Sequence, residues 1–314
     1  MPTLFKKIQG ALCSVCFFLP VQSYAINDSL SPSVAGNSEF NIVTNAPVEF
    51  ETYIVRYATH FPTSNFEKTL DIAKGSVRRF CQEFNLKGNS CLTEIGALSI
   101  EGLIQLTAHL KKGLSDESSL SINDVDLLLL KVAIKRTDDP YTIMLRKDAD
   151  VTGTPSNEQS EKSELSEDGL RLKITNFDSD NGCVAESLLS HPEKIRSLDL
   201  RDNHGGDLEC TIKILSGFLP KGRHHIATLF TMDGEEALWV EGSLDDNELK
   251  KRSLFVNKHT ASSAEIFAHN LIENGWDVDG LPMKGKRSIQ AKFDTPYGSY
   301  MLTIGKFEIN NSSK

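Results

Sequence analysis

Along the first half of the chain, apolar residues recur at the three- and four-residue spacing of amphipathic helices. The stretch TSNFEKTLDIAKGSVRRF opens with Thr63 or Ser64 as cap and puts Phe66, Leu70 and Ile72 on an apolar side, which predicts a helix over 63–85. SIEGLIQLTAHLKKG predicts a second over 99–113: Ser99 caps it, Leu103, Leu106 and Leu110 form one stripe, and Gly113 ends it. SINDVDLLLLKVAIK predicts a third over 121–135. Residues 26–50 mix polar and apolar positions without a period and read as a loose segment. Residues 149–168 are poor in apolar groups and rich in Ser, Glu and Asp, the composition of a linker or exposed loop.

Beyond that linker the period changes. LRLKITNF (170–177) and IRSLDLR (195–201) alternate as strands do, and IATLFT, ALWVEG and SLFVN (253–257) read as further strands. CVAESLLSH reads as a short helix, and GGDLECTIKILSGFLP as a longer one with Leu208, Ile212 and Leu215 on one side. NKHTASSAEIF (257–267) starts a helix running to about Gly275, and SIQAKF and SYMLTIGKF close the chain as strands. A helical region over 26–148 is therefore expected before an α/β core over 169–314.

Composition adds a compartment. The first 25 residues have the form of a secretory signal peptide: Lys6 and Lys7 form a basic start, a short apolar core follows, and small residues end at Ala25. Loss of the leader takes the formal charge from −9 to −11. That acidity excludes a nucleic-acid footprint and argues against binding to anionic lipid. The expected product is exported, periplasmic or secreted, and free of the membrane. Of six cysteines, Cys13 and Cys16 leave with the leader. The remaining four allow three pairings, among them Cys81–Cys91 with Cys183–Cys210, or they are four buried thiols. No CxxC survives in the mature chain, so no metal and no cofactor is expected.

Three places carry candidate chemistry, all at strand ends. In LDLRDNHGGDL, Gly205 and Gly206 let the backbone turn tightly and aim N–H groups at a developing oxyanion, where the plain alternative is a strand-to-helix turn. In NKHTASSAEIF, Ser262 or Ser263 at the first turn of a helix sits at the positive end of its dipole, where the plain alternative is an N-cap. In MKGKRSIQ, Lys286 can serve as a base if desolvated or set beside Lys284 and Arg287, and Gln290, four residues on and on the same strand face, can orient its amine. His204 and His259 precede the first two turns, which makes a Ser–His pair conceivable, but no acid stands out to orient either ring. His224 and His225, adjacent on a strand, read as surface residues.

The order and spacing of DLRDNHGG (199–206), TASSAEI (260–266) and GKRSIQ (285–290) resemble the tail-specific, or C-terminal processing, serine peptidases of family S41. FLPKG (218–222) and DPYTIML (139–145) fit the same pattern. The resemblance implies a crotonase/ClpP-like spiral core of mixed sheet and helices behind a helical N-terminal region. It implies an exported serine endopeptidase acting on polypeptides through a Ser–Lys dyad. Ser262 falls on the nucleophile, Lys286 on the general base and Gln290 on the residue that holds it. The backbone of Ser263 with that of Gly205 or Gly206 falls on the oxyanion hole, and Thr260 supports the turn. His204 stands for the usual Pro, Thr260 for Ser and Arg287 for Gly, and the Ser-to-Lys interval is one residue shorter, in WDVDGLP. The stretch 149–168 takes the place of the family's PDZ domain. The alternative is a non-catalytic peptide- or apolar-ligand-binding protein on the same scaffold.

Overall fold

The structure, a computed structural model, describes residues 49–92, 99–145, 163–177, 183, 191–245 and 252–309. The expected leader, the segment 26–48, most of the linker and all but the end residues of the CVAESLLSH helix lie outside the described residues. The chain forms two compact units, one of residues 17–151 with 292–303 and one of residues 152–291 with 304–314.

Helices make up most of the first unit: α1 (Glu49–His60), α2 (Phe66–Glu83), the single turn α3 (Asn89–Leu92), α4 (Ile100–Ser118) and α5 (Ile122–Arg136). Ser99 and Ser121 cap α4 and α5 as expected, accepting from the amides of Gly102 and Asp124. Asn65, rather than Thr63 or Ser64, caps α2 and accepts from the Lys68 amide at 2.8 Å. The buried face of α2 runs through Thr69, Ile72, Ala73, Ser76, Val77 and Phe80. Gly113 does not end α4. A side chain there would meet Ser90 Oγ at 2.0 Å, so glycine serves close packing between α3 and α4, and the helix continues to a left-handed Ser119. Helix α1 was not expected from the sequence. It buries Phe50, Tyr53, Ile54 and Tyr57 and also Glu51. Cys81 is bonded to Cys91, stapling α2 to α3.

In the core of this unit Lys111 is 1% exposed, with Nζ 2.5 Å from Glu51 Oε2 and 2.6 Å from Asp126 Oδ1. Asp126 also accepts from the amides of Glu49 and Phe50 at the start of α1. Strand β1 (Ile143–Leu145) pairs antiparallel with the first part of β10 (Gly298–Glu308).

The second unit is mixed α/β. A five-stranded sheet has the order β2 (Glu164–Leu165), β3 (Arg171–Lys173), β4 (Ser197–Asp199), β7 (Ser253–Phe255), β8 (Asp277–Asp279), and β3, β4, β7 and β8 run parallel. Helix α6 (Leu208–Ser216) follows β4, and α7 (Ser263–Glu273) follows β7. Of the side chains expected on the inner face of α6, Leu215 is buried but Leu208 and Ile212 are only partly so. Cys210, Thr211 and Ile214 complete that face. A long hairpin of β5 (Gly222–Thr231) and β6 (Gly234–Gly242) pairs through β5 with the last residues of β10, and β9 (Ser288–Thr295) pairs with β10. His224 and His225 both lie on β5. Leu198, Leu200, Leu254 and Val256 are at most 1% exposed. Around them Phe177, Phe267, Phe218 and Trp276 pack ring against ring. Cys183 is bonded to Cys210 at the first turn of α6.

This sheet sets the position of the site. Asp199 is in register with Phe255, and Phe255 with Asp279. The strands are parallel, so the segments after β4, β7 and β8 leave the same sheet edge side by side. Such an edge is where parallel sheets carry their functional loops.

Candidate active site

The three segments that leave this edge are those that carry the glycine pair, the serines and the lysine. They are tied by main-chain and buried polar bonds. Asn203, fully buried, donates from Nδ2 to the Ile174 carbonyl and accepts the Gly205 amide on Oδ1 at 2.8 Å; its own carbonyl accepts the Ala261 amide. Thr260, also fully buried, donates from Oγ1 to the Leu200 carbonyl and accepts the Asn257 amide, while its carbonyl accepts the Lys284 amide. Two residues, through side chain and main chain together, thus join all three segments.

Ser262 is the N-cap residue of α7 and has φ 59° and ψ −128°. A non-glycine residue at such a φ is strained, and such strain concentrates at functional turns. Gly205 (φ 94°) packs directly on this turn: a β-carbon on it would lie 2.9 Å from Ser262 Cβ and 3.0 Å from the Ser263 amide nitrogen. Gly206 (φ 141°) is equally confined, since a β-carbon there would stand 2.3 Å from the Phe177 carbonyl oxygen. The Gly205 amide is committed to Asn203, whereas Gly206 is exposed, and Ser263 Oγ donates to the Gly206 carbonyl at 3.3 Å.

The residue that sequence reasoning missed is Glu265, 1% exposed. Its Oε2 accepts the Ser262 amide at 3.0 Å and the Lys286 amide at 2.8 Å. Its Oε1 accepts the Gly285 amide at 2.8 Å and lies 2.8 Å from Arg287 Nη1. One buried carboxylate therefore holds the backbone of the serine turn against the backbone of the lysine turn. Arg287, the departure from glycine, supplies the countercharge that a buried carboxylate needs. The signal was present in the sequence: Ser262 followed three residues later by Glu265 is the capping-box spacing.

Lys286 precedes β9, which begins at Ser288, so the expected placement of Lys286 and Gln290 on one strand face does not hold. Gln290 Nε2 donates to Ser288 Oγ at 2.7 Å. That bond turns the other end of the carboxamide, an acceptor, to any amine it meets.

The histidines are not without an acid. His259 Nδ1 lies 2.8 Å from Asp202 Oδ1, and Asp202 also accepts from Asn257 Nδ2. This corrects the expectation that no acid orients either ring. The His204 ring lies 6.3 Å from that of His259, and among the described residues no hydrogen bond joins either ring to Ser262. Burial, and then the positive charges of Lys284 and His259, hold the His204 pKa below the usual imidazole value. Among the described residues no group of His, Cys, Asp and Glu is arranged to hold a metal, and no helix is long and apolar enough to cross a membrane.

Comparison with known proteins finds similarity over the part of the chain that carries these three segments. Residues 171–314 match the model of peptidase family S41. Over 150 residues the chain is 30% identical to the chloroplastic carboxyl-terminal-processing peptidase 2 of Arabidopsis thaliana, covering 44% of this chain and 28% of the relative. The chain thus spans little more than a quarter of that relative's length. The structure of a photosystem II D1 C-terminal processing protease overlaps at TM-score 0.37 and 22% identity, over 44% of this chain and 37% of that one. A lipoprotein from Streptococcus agalactiae overlaps at TM-score 0.43 and 12% identity, over 76% and 86% of the two chains.

Proposed function

We propose that this protein is an exported serine endopeptidase that hydrolyses polypeptides through Ser262 and Lys286. The observation that carries the reading is the shared carboxylate of Glu265, which holds the amides of Ser262 and Lys286 on one oxygen. Ser262 Oγ attacks the peptide carbonyl carbon. Neutral Lys286 takes the hydroxyl proton and returns it to the leaving amine, and water then hydrolyses the acyl-enzyme. Gln290 orients the lysine through its carboxamide oxygen. The oxyanion is received by the amides of Ser263 and, since that of Gly205 is occupied, of Gly206. The bonded pairs Cys81–Cys91 and Cys183–Cys210 support an oxidising, extracytoplasmic compartment.

Two rivals are weighed against this reading. The Asp202–His259 pair makes a Ser–His mechanism arguable. It lacks a bond to Ser262, and both members are largely exposed, with side chains 66% and 51% accessible. A binding protein for apolar ligands needs an enclosed apolar cavity. Two hollows among the described residues of the helical unit are open and carry Glu67, Lys68, Asp71 and Arg136 in one and Lys131, Lys135 and Asp139 in the other.

The test is digestion of mixed unfolded proteins, read by mass spectrometry. Wild type is expected to cleave, and Ser262→Ala and Lys286→Ala each to lose at least about a thousandfold of the rate. Undiminished cleavage by Ser262→Ala would refute the reading. Loss with His259→Asn and not with Lys286→Ala would replace the lysine by the histidine.

A further inference from the structure

Each of the three segments that build the candidate site contributes one basic side chain to its mouth. His204 immediately precedes the glycine pair, His259 lies three residues before Ser262, and Lys284 lies two before Lys286. All three residues are exposed. The two rings are 6.3 Å apart, and the Lys284 amide is bonded to Thr260, the residue next to His259. The positive charge of Lys284 is near enough to act on the His204 ring. Asp202 is the acid among them, and it is engaged by His259 Nδ1 and Asn257 Nδ2. The chain carries a formal charge of −9, so a basic mouth runs against the balance of the molecule. Nothing in Ser–Lys chemistry uses these three side chains.

We infer that His204, His259 and Lys284 form a carboxylate-reading rim, which selects substrates carrying an acidic group within a residue or two of the scissile bond. The carboxylate is that of an Asp or Glu side chain or that of the substrate's own C-terminus. The inference rests on the peptidase reading for its position beside the cut. Its chemistry is independent of it: two imidazole N–H donors and an ammonium meet one carboxylate at the surface, where charge-assisted hydrogen bonds are the strongest available.

The test uses two series of one peptide. The first carries Glu or Gln at each of the two positions on either side of the cut, with the C-terminus amidated. The second is the Gln peptide with a free acid or an amide at its end. Wild-type turnover and binding to Ser262→Ala, followed by fluorescence anisotropy, are measured for both. The expected outcome is a preference of about tenfold for the charged member of one series. The first series assigns the carboxylate to a side chain, the second to the chain end. The preference should fall toward unity in Lys284→Gln combined with His204→Asn. It should rise severalfold in Asp202→Asn, a substitution that suits the left-handed φ of 63° at that position and cannot gain selectivity by unfolding. Equal handling of charged and neutral peptides by wild type, or a preference unmoved in these variants, overturns the rim. Selective binding without turnover overturns the peptidase reading and leaves the rim standing.

Discussion

The residue that most rewards attention at the smallest scale is Glu265. A carboxylate with three amide donors and a guanidinium converging on two oxygens cannot be replaced by an amide of equal size, because glutamine turns an NH2 group to amides that already donate. Glu265→Gln is therefore expected to displace the Ser262 and Lys286 turns relative to each other. A displacement of an ångström costs about a hundredfold in turnover. A positioning role appears in kcat with KM nearly unchanged. If kcat is kept and only thermal stability falls, the carboxylate is structural alone. Much of this scale was legible beforehand. Gly205, Gly206, Ser262 and Lys286 stood out because turns, helix starts and desolvated amines have recognisable residue chemistry. Asn203 and Asp202 did not, because the partners of a side-chain amide or a surface acid are fixed only when distant turns meet.

At the scale of elements, the strand–turn–helix alternation of the C-terminal half was readable, and so were the serine caps of α4 and α5. Helix α1 was not, since its buried face includes Glu51, whose place in the interior depends on Lys111 sixty positions away. Gly113 reads as a stop signal, yet Ser90 needs the space a side chain would take. The Glu51 site has a measurable signature. Burial raises the Glu51 pKa above the usual 4.5, with the nearby Lys111 opposing. The folded state then holds a proton that the unfolded state releases. The stabilisation is complete below pH 4.5 and is lost as pH rises through the folded value. Glu51→Gln keeps the uncharged form at every pH. Its melting temperature is expected to gain on that of wild type as pH rises from 4.5 through the folded value, and to hold that gain above it. A difference between the two proteins that does not change with pH above 4.5 would refute this.

For the molecule as a whole, charge and composition argued against some classes of partner, and three short motifs pointed to one chemistry, but neither could show that β9 and β10 are shared between two compact units. Residues 292–303 belong with the helices, whereas Lys286 and Gln290, a few positions earlier, belong with the parallel sheet. The linear order of helical region, linker and core is therefore not the order of the folded units, because a long hairpin can return to an element that sequence proximity does not indicate.

The backbone of Ser262 has one more consequence. A residue held at φ 59° and ψ −128° costs on the order of 1–3 kcal/mol unless it is glycine. Glycine would be the most comfortable occupant of the position and, under the proposed mechanism, a useless one. Ser262→Gly is expected to melt a few degrees above both wild type and Ser262→Ala, since about 1 kcal/mol moves a midpoint by that much. If the glycine variant melts no higher than the alanine variant, the turn stores no strain. If it does, natural drift at this position has a downhill path to a sturdier protein, one that is inert under the proposed mechanism, and selection for activity is then what that mechanism requires to keep the serine in place.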